Sequence, residues 1–311
     1  MRIPTILAIA AILTLVSCGT INSKKGSDPK SEISTTNLSE LDFWKDYSIL
    51  NAEYGTETRV VLKNDQRIMT TNALPNHPTG KFPNAGNPNS ISAQHVKYMI
   101  PLSPKFSGES KWAREPGVAL NGIKFEPETA ERFVCETGEV YRIEAFQDLV
   151  DLGLDFNHAH VQPTGAYHYH GVPEGLVKSV ATEEDLVLVG FALDGFPIFY
   201  SKSGQYKPSY QLTADLRTGD ACSYRNPKQG MEKDLKDTSP DGTFVSDWEY
   251  VAELGQLDEC NGIDLNGQYA YFVTEEYPYM SRCLKGVFKE ERRPGPPPGG
   301  HRHGGRPRHN H

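Results

Sequence analysis

The chain has 311 residues, with 32 basic and 40 acidic side chains, a net charge of −8 and five cysteines. That acidic balance argues against nucleic acid as a partner, because phosphate binding needs a basic patch. The length suits one large domain or two small ones between terminal segments of different composition.

Met1 and Arg2 make a minimal positive start, and Ile3 to Val16 is a short apolar run. Spanning a bilayer takes about 20 apolar residues, so this run is too short to do so. It ends in Leu15-Val16-Ser17-Cys18-Gly19, small residues beside a cysteine where an export signal is cut. The junction resembles a bacterial lipobox. Cleavage before Cys18 would leave a lipid-modified cysteine that anchors the chain to a membrane of the cell envelope. Gly19 is not an acidic retention residue, which points to the outer membrane. The plainer alternative is an ordinary signal peptide with an incidental cysteine. Removing residues 1–17 takes away one arginine and moves the net charge from −8 to −9.

From residue 18 to about Glu40 the chain is Ser, Thr, Lys, Gly and Asn, and behaves as a flexible tether. From Leu41 to about Glu290 the composition is globular, with no internal repeat. Arg59 to Leu62, His95 to Ile100, Leu186 to Phe191, Phe196 to Tyr200 and Tyr269 to Thr274 are short, rich in β-branched and aromatic residues, and bounded by turn formers. Glu144 to Leu152 reads as a helix that Gly153 could end. The expected fold is therefore mainly β, a β-rich α+β domain of sandwich or barrel type with few short helices. Residues 291–311 are Pro-, Gly- and His-rich, and His301, His303, His309 and His311 close a tail that cannot form a core.

If Cys18 carries lipid, Cys135, Cys222, Cys260 and Cys283 remain. An even number in an oxidising compartment reads as two disulfides, and none has the close spacing of a thiolate metal site. Cys260 with Cys283 is the favoured pair, because turn-like residues flank both around the strand-like run Tyr269 to Thr274. That leaves Cys135 with Cys222.

The residues that carry chemistry run from Asn157 to Gly171 and hold two His-x-His pairs, His158/His160 and His168/His170. Residues two apart on a strand share a face. Pro163-Thr164-Gly165 suits a three-residue hairpin loop, with proline in the first turn position and glycine in the left-handed one. In that register His160 opposes His168 and His158 opposes His170. All four imidazoles then share one face, while Ala159, Val161, Tyr167 and Tyr169 share the other. Directly opposed Cβ atoms lie about 4.5–5.5 Å apart, close enough for both strands to hold one ion. A one-residue slip would separate the pairs. A plain alternative is imidazoles stacking on a sheet surface. Four on one face would repel if they charged together, whereas a metal keeps them neutral. Ligation by histidine alone suits Zn or Cu, and Fe or Ni less specifically.

Other positions are less specific. Asp194, in an Asp-Gly turn, is a candidate ligand, a carboxylate orienting a histidine, or simply the turn residue. Glu259, in an acidic turn-rich stretch, is a candidate ligand, a residue supporting the site or acting as base, or a surface residue. His77 and His95 stand alone and read as structural.

Tyr167-His168-Tyr169-His170 resembles the signature of the bacterial YHYH-domain family. Asp155 to His160, Gly190 to Tyr200, Asp241 to Phe244, Leu257 to Gly262 and Tyr269 to Gly286 are similar to it as well, so the resemblance runs over roughly Val118 to Gly286. It implies that the histidines act as a set and adds no reaction. The leading expectation is an envelope lipoprotein that binds a transition metal through the hairpin histidines. One alternative is a metal-dependent hydrolase with Asp194 or Glu259 as base. Another is a metal-free surface lipoprotein that binds a protein or glycan partner through its tyrosines.

Overall fold

The computed structural model describes residues 35–180, 182–226 and 229–289. The expected signal peptide, Cys18, most of the expected tether and the histidine tail lie outside the described residues. The folded part begins before Leu41: the Thr36 amide donates to the Leu50 carbonyl at 2.8 Å, and Leu38 is buried.

Short strands dominate because glycine, proline and aspartate punctuate apolar runs too brief for helices. Thr56–Lys63 shows the expected alternation, its residues buried and exposed in turn over most of its length. It lies in a four-stranded antiparallel sheet that runs Tyr47–Asn51, Thr56–Lys63, Gln66–Thr71, Val96–Pro101. A larger sheet has eight strands in the order Ala159–Val161, Tyr167–Tyr169, Lys124–Phe125, Gly117–Ala119, Leu186–Ala192, Pro197–Ser201, Gln268–Val273, Gly262–Leu265. Both sheets are open at their edges, so neither closes into a barrel. They share one core: Ile49, Val60, Met69 and Ile100 of the smaller sheet pack with Val118, Phe125, Val161, Tyr169, Val189 and Phe191 of the larger. This is the arrangement of a β-sandwich.

A second core, with Phe133, Tyr141, Tyr224 and Phe244, belongs to a four-stranded sheet that carries the Cys135–Cys222 disulfide. Those cysteines face each other across paired strands. Cys260 bonds Cys283, so both expected pairings hold. The five expected strands are all present.

The helix expected over Glu144 to Leu152 does not form. The backbone there is claimed by other partners: Ile143 bridges Phe244, and the Glu144 amide donates to Thr243. Gln147 then acts locally, its Oε1 accepting from the Leu149 and Val150 amides at 2.7 and 2.8 Å. A side chain that captures nearby amides competes directly with helical hydrogen bonds. The α-helix among the described residues is Glu174–Ser179, which buries Leu176 just after the hairpin.

Candidate metal centre

The hairpin has the expected register. Ala159 pairs with Tyr169, His160 with His168 and Val161 with Tyr167. The Gly165 amide donates to Gln162 and the Gln162 amide to Ala166. Gly165 has φ +84°, and a Cβ there would run into Ser92, so glycine is needed both for conformation and for space.

The Ala159, Val161, Tyr167 and Tyr169 face is buried in the main core. Each tyrosine hydroxyl is satisfied. Tyr167 donates to Asp155 Oδ2 at 2.7 Å. The Tyr169 hydroxyl lies 2.6 Å from His77 Nε2 and accepts from Asn121 Nδ2 at 2.9 Å. His77 is thus a structural partner of the motif, as its isolated position suggested, while His95 is exposed.

The opposite face gathers three of the four histidines. Ring centroids of His160, His168 and His170 form a triangle with all three sides 4.7 Å. One ring nitrogen from each lies within 4.8 Å of the others. His160 Nε2 and His170 Nε2 are 3.1 Å apart. Three nitrogens bound to one tetrahedral ion at about 2.0–2.1 Å would sit about 3.3 Å from each other.

Backbone carbonyls orient two of the rings. His160 Nδ1 lies 2.9 Å from the Leu152 carbonyl and His168 Nδ1 3.3 Å from that of Ala166. A carbonyl only accepts, so each Nδ1 carries the proton and each Nε2 keeps its lone pair. This is how metal-bound histidines are usually held from behind. His170 differs. Its Nδ1 is buried without a hydrogen-bond partner, and the Pro127 backbone lies near the ring. With His160 Nε2 bare, a hydrogen bond across the 3.1 Å contact puts the proton on His170 Nε2 and leaves its Nδ1 an unpartnered acceptor. An ion held by His170 Nε2 would move that proton to Nδ1, so the unpartnered atom fits a bound metal.

Burial keeps the set neutral. His168 and His170 are 2% and 1% exposed. Loss of solvation is the main force holding both well below the ordinary imidazole pKa, followed by repulsion from the neighbouring rings. His160 is also lowered by burial, which Leu152 and the charges of Glu126, Glu131 and Asp155 partly offset. Neutral imidazoles are the form that binds metal.

His158 does not join them. The Asp155 side chain caps a turn through the Asn157 amide, and the His158 amide donates to the Asp155 carbonyl. His158 adopts φ +56°, which breaks the strand alternation. Its Nδ1 instead lies 2.9 Å from the Val172 carbonyl, and its ring meets Phe146 edge-on. Asp194 and Glu259 also make their contacts elsewhere. Asp194 is fully buried and accepts from Tyr271 Oη at 2.6 Å and the Gly286 amide at 2.9 Å. Glu259 bonds Ser110 and Lys285.

Residues outside the motif complete the surroundings. Phe125 pairs with Tyr169 in parallel, so Lys124 and Glu126 stand on the histidine side of the sheet. Glu126 is held by Lys124 Nζ at 2.6 Å, Gln162 Nε2 at 2.7 Å and Arg114 at 3.0 Å. Sequence reasoning missed this set. The alternation Lys124-Phe125-Glu126 was a faint signal, but the strand is only two residues long and its partner is distant in the chain.

A family model described as YHYH protein matches residues 97–286, more than half of the chain. The chain belongs to this family. No match was found among curated proteins or among solved structures. The YHYH signature now has a physical reading. Its alternation sends two hydroxyls into satisfied core contacts and two imidazoles to the opposite face, where His160 meets them.

Proposed function

We propose that this protein is a cell-envelope lipoprotein that binds a transition metal through His160, His168 and His170. The observation that carries the reading is the convergence of three imidazoles, two of them buried and one half-buried, with one unpartnered Nδ1. His-only ligation favours Zn or Cu. The lipobox-like junction at Cys18 supports anchoring to an envelope membrane, and the lack of an acidic residue at position 19 favours the outer membrane. Cys18→Ser should release the protein from the membrane fraction or leave it uncleaved; unchanged attachment would overturn that part.

The direct test is elemental analysis and titration with Zn and Cu. The protein used should have His301, His303, His309 and His311 replaced by alanine, so that the tail cannot mask the result. One ion per chain, lost on His168→Ala or His170→Ala, is the expected outcome.

The ligand count favours a second reading. Three histidines leave a coordination position open, the usual arrangement in catalytic zinc sites, where bound water becomes a nucleophile. A hydrolase of this kind would draw its base from residues other than Asp194 and Glu259, which make their contacts elsewhere. Turnover of an ester or peptide substrate that disappears with His170→Ala would select this reading.

A further inference from the structure

A second concave site lies toward the other side of the large sheet. The hairpin strands are first and second in its order, and the strands that border this site are sixth and seventh. At about 4.8 Å per strand the two sites are on the order of 20 Å apart. The site is a cavity of about 230 Å³, between the loop that follows Pro197–Ser201 and the end of Gln268–Val273.

Its walls combine two tyrosines with paired charges. Tyr206 lies against Phe272 with ring centroids 4.5 Å apart, and Tyr200 donates to Glu275 Oε1 at 2.9 Å. Lys207 Nζ donates to Glu276 Oε1 at 2.8 Å and Lys202 Nζ to the Thr182 carbonyl at 2.6 Å. Two cations and two carboxylates balance, so the lining does not select an ion by net charge. The frame is already set. Asp185 accepts from Ser201 Oγ and the Ser203 amide at 2.7 and 2.6 Å, and Thr274 Oγ1 donates to the Glu276 carbonyl at 2.9 Å. Burial foremost, then Glu275, pushes the Tyr200 phenol up to about 12, so it stays a donor across the physiological range.

We propose that this cavity binds one ring of a neutral saccharide. A pyranose has an apolar C–H face that suits a tyrosine ring, and a rim of hydroxyls that each donate and accept. Glu275 and Glu276 each bond through Oε1, and a carboxylate has a second oxygen with which to accept from a sugar hydroxyl. The lysines supply donors. Pockets for drug-sized ligands measure about 300–1,000 Å³, so a smaller cavity suits a single ring.

The test uses the full chain with free glucose, galactose and N-acetylglucosamine as probes, followed by saturation-transfer NMR and calorimetry. At least one sugar should bind saturably, with transfer strongest to its ring C–H protons. Glu275→Gln and Glu276→Gln sit on exposed side chains and should keep the fold while weakening binding about tenfold each. Tyr206→Ala should abolish it, with a thermal melt to verify folding. His168→Ala should leave sugar binding unchanged, which separates this site from the metal centre. The proposal is overturned if none of the three sugars binds, if both glutamine variants bind as wild type does, or if inorganic phosphate competes for the site.

Discussion

The two faces of the hairpin use similar burial for opposite ends. On one face Tyr167 and Tyr169 are fully enclosed and each hydroxyl finds a protein partner. On the other, His168 and His170 are just as enclosed, yet the nitrogens point at one another and one has no partner. Buried polar atoms are nearly always satisfied. The tyrosine face is complete within the protein and serves stability, whereas the histidine face is the one on which the proposed metal site rests.

The strongest way to break this contrast is to remove a ligand. His168→Ala or His170→Ala should lower Zn or Cu affinity by more than the about 10–100-fold typical of losing an outer-shell partner. Calorimetric titration of the tail-substituted protein would show it, and an unchanged affinity would dissolve the contrast. Tyr169→Phe should act in the opposite sense. It leaves His77 Nε2 and one contact of Asn121 unsatisfied, which should cost about 1–3 kcal/mol of stability in denaturant unfolding. Its metal stoichiometry should remain that of wild type.

Acid should reveal the histidine face without mutation. The folded pKa values of His77, His160, His168 and His170 are all lowered, by burial first. Unfolded, each returns to about 6.5. Between those values the unfolded chain binds more protons than the folded one, so stability rises with pH. In chelator, stability should be full above about pH 6.5 and fall below it, by up to about 1.4 kcal/mol per pH unit for each histidine. A flat profile from pH 7 to 5 would contradict their burial. The smallest effect is expected at His158. Because its ring turns to Val172 and Phe146, His158→Ala should leave metal affinity close to wild type, and a loss comparable to that of His170→Ala would restore it to the ligand set.

Much of this centre was legible before the fold was known. Side-chain direction on a strand has a period of two, and Pro163 with Gly165 suits only a narrow choice of turn, so the opposition of His160 and His168 follows from local chemistry. The strands near Thr56, Val96, Leu186, Pro197 and Gln268 follow from short apolar runs between breakers; flanking turns favour Cys260 with Cys283, and Cys135 with Cys222 is the pair left over. The remaining features depend on contacts between distant parts of the chain. Glu144 to Leu152 has helical propensity, but pairing with Thr243 and Phe244 outweighs a preference worth only a few tenths of a kcal/mol per residue (~0–0.7). His158 fits the alternation, but the Asp155 turn rotates it away. Lys124, Glu126 and Arg114 reach the histidine face only because Lys124–Phe125 pairs with Tyr167–Tyr169. Local periodicity settles which way a side chain points within one element, and packing between elements settles what it meets there.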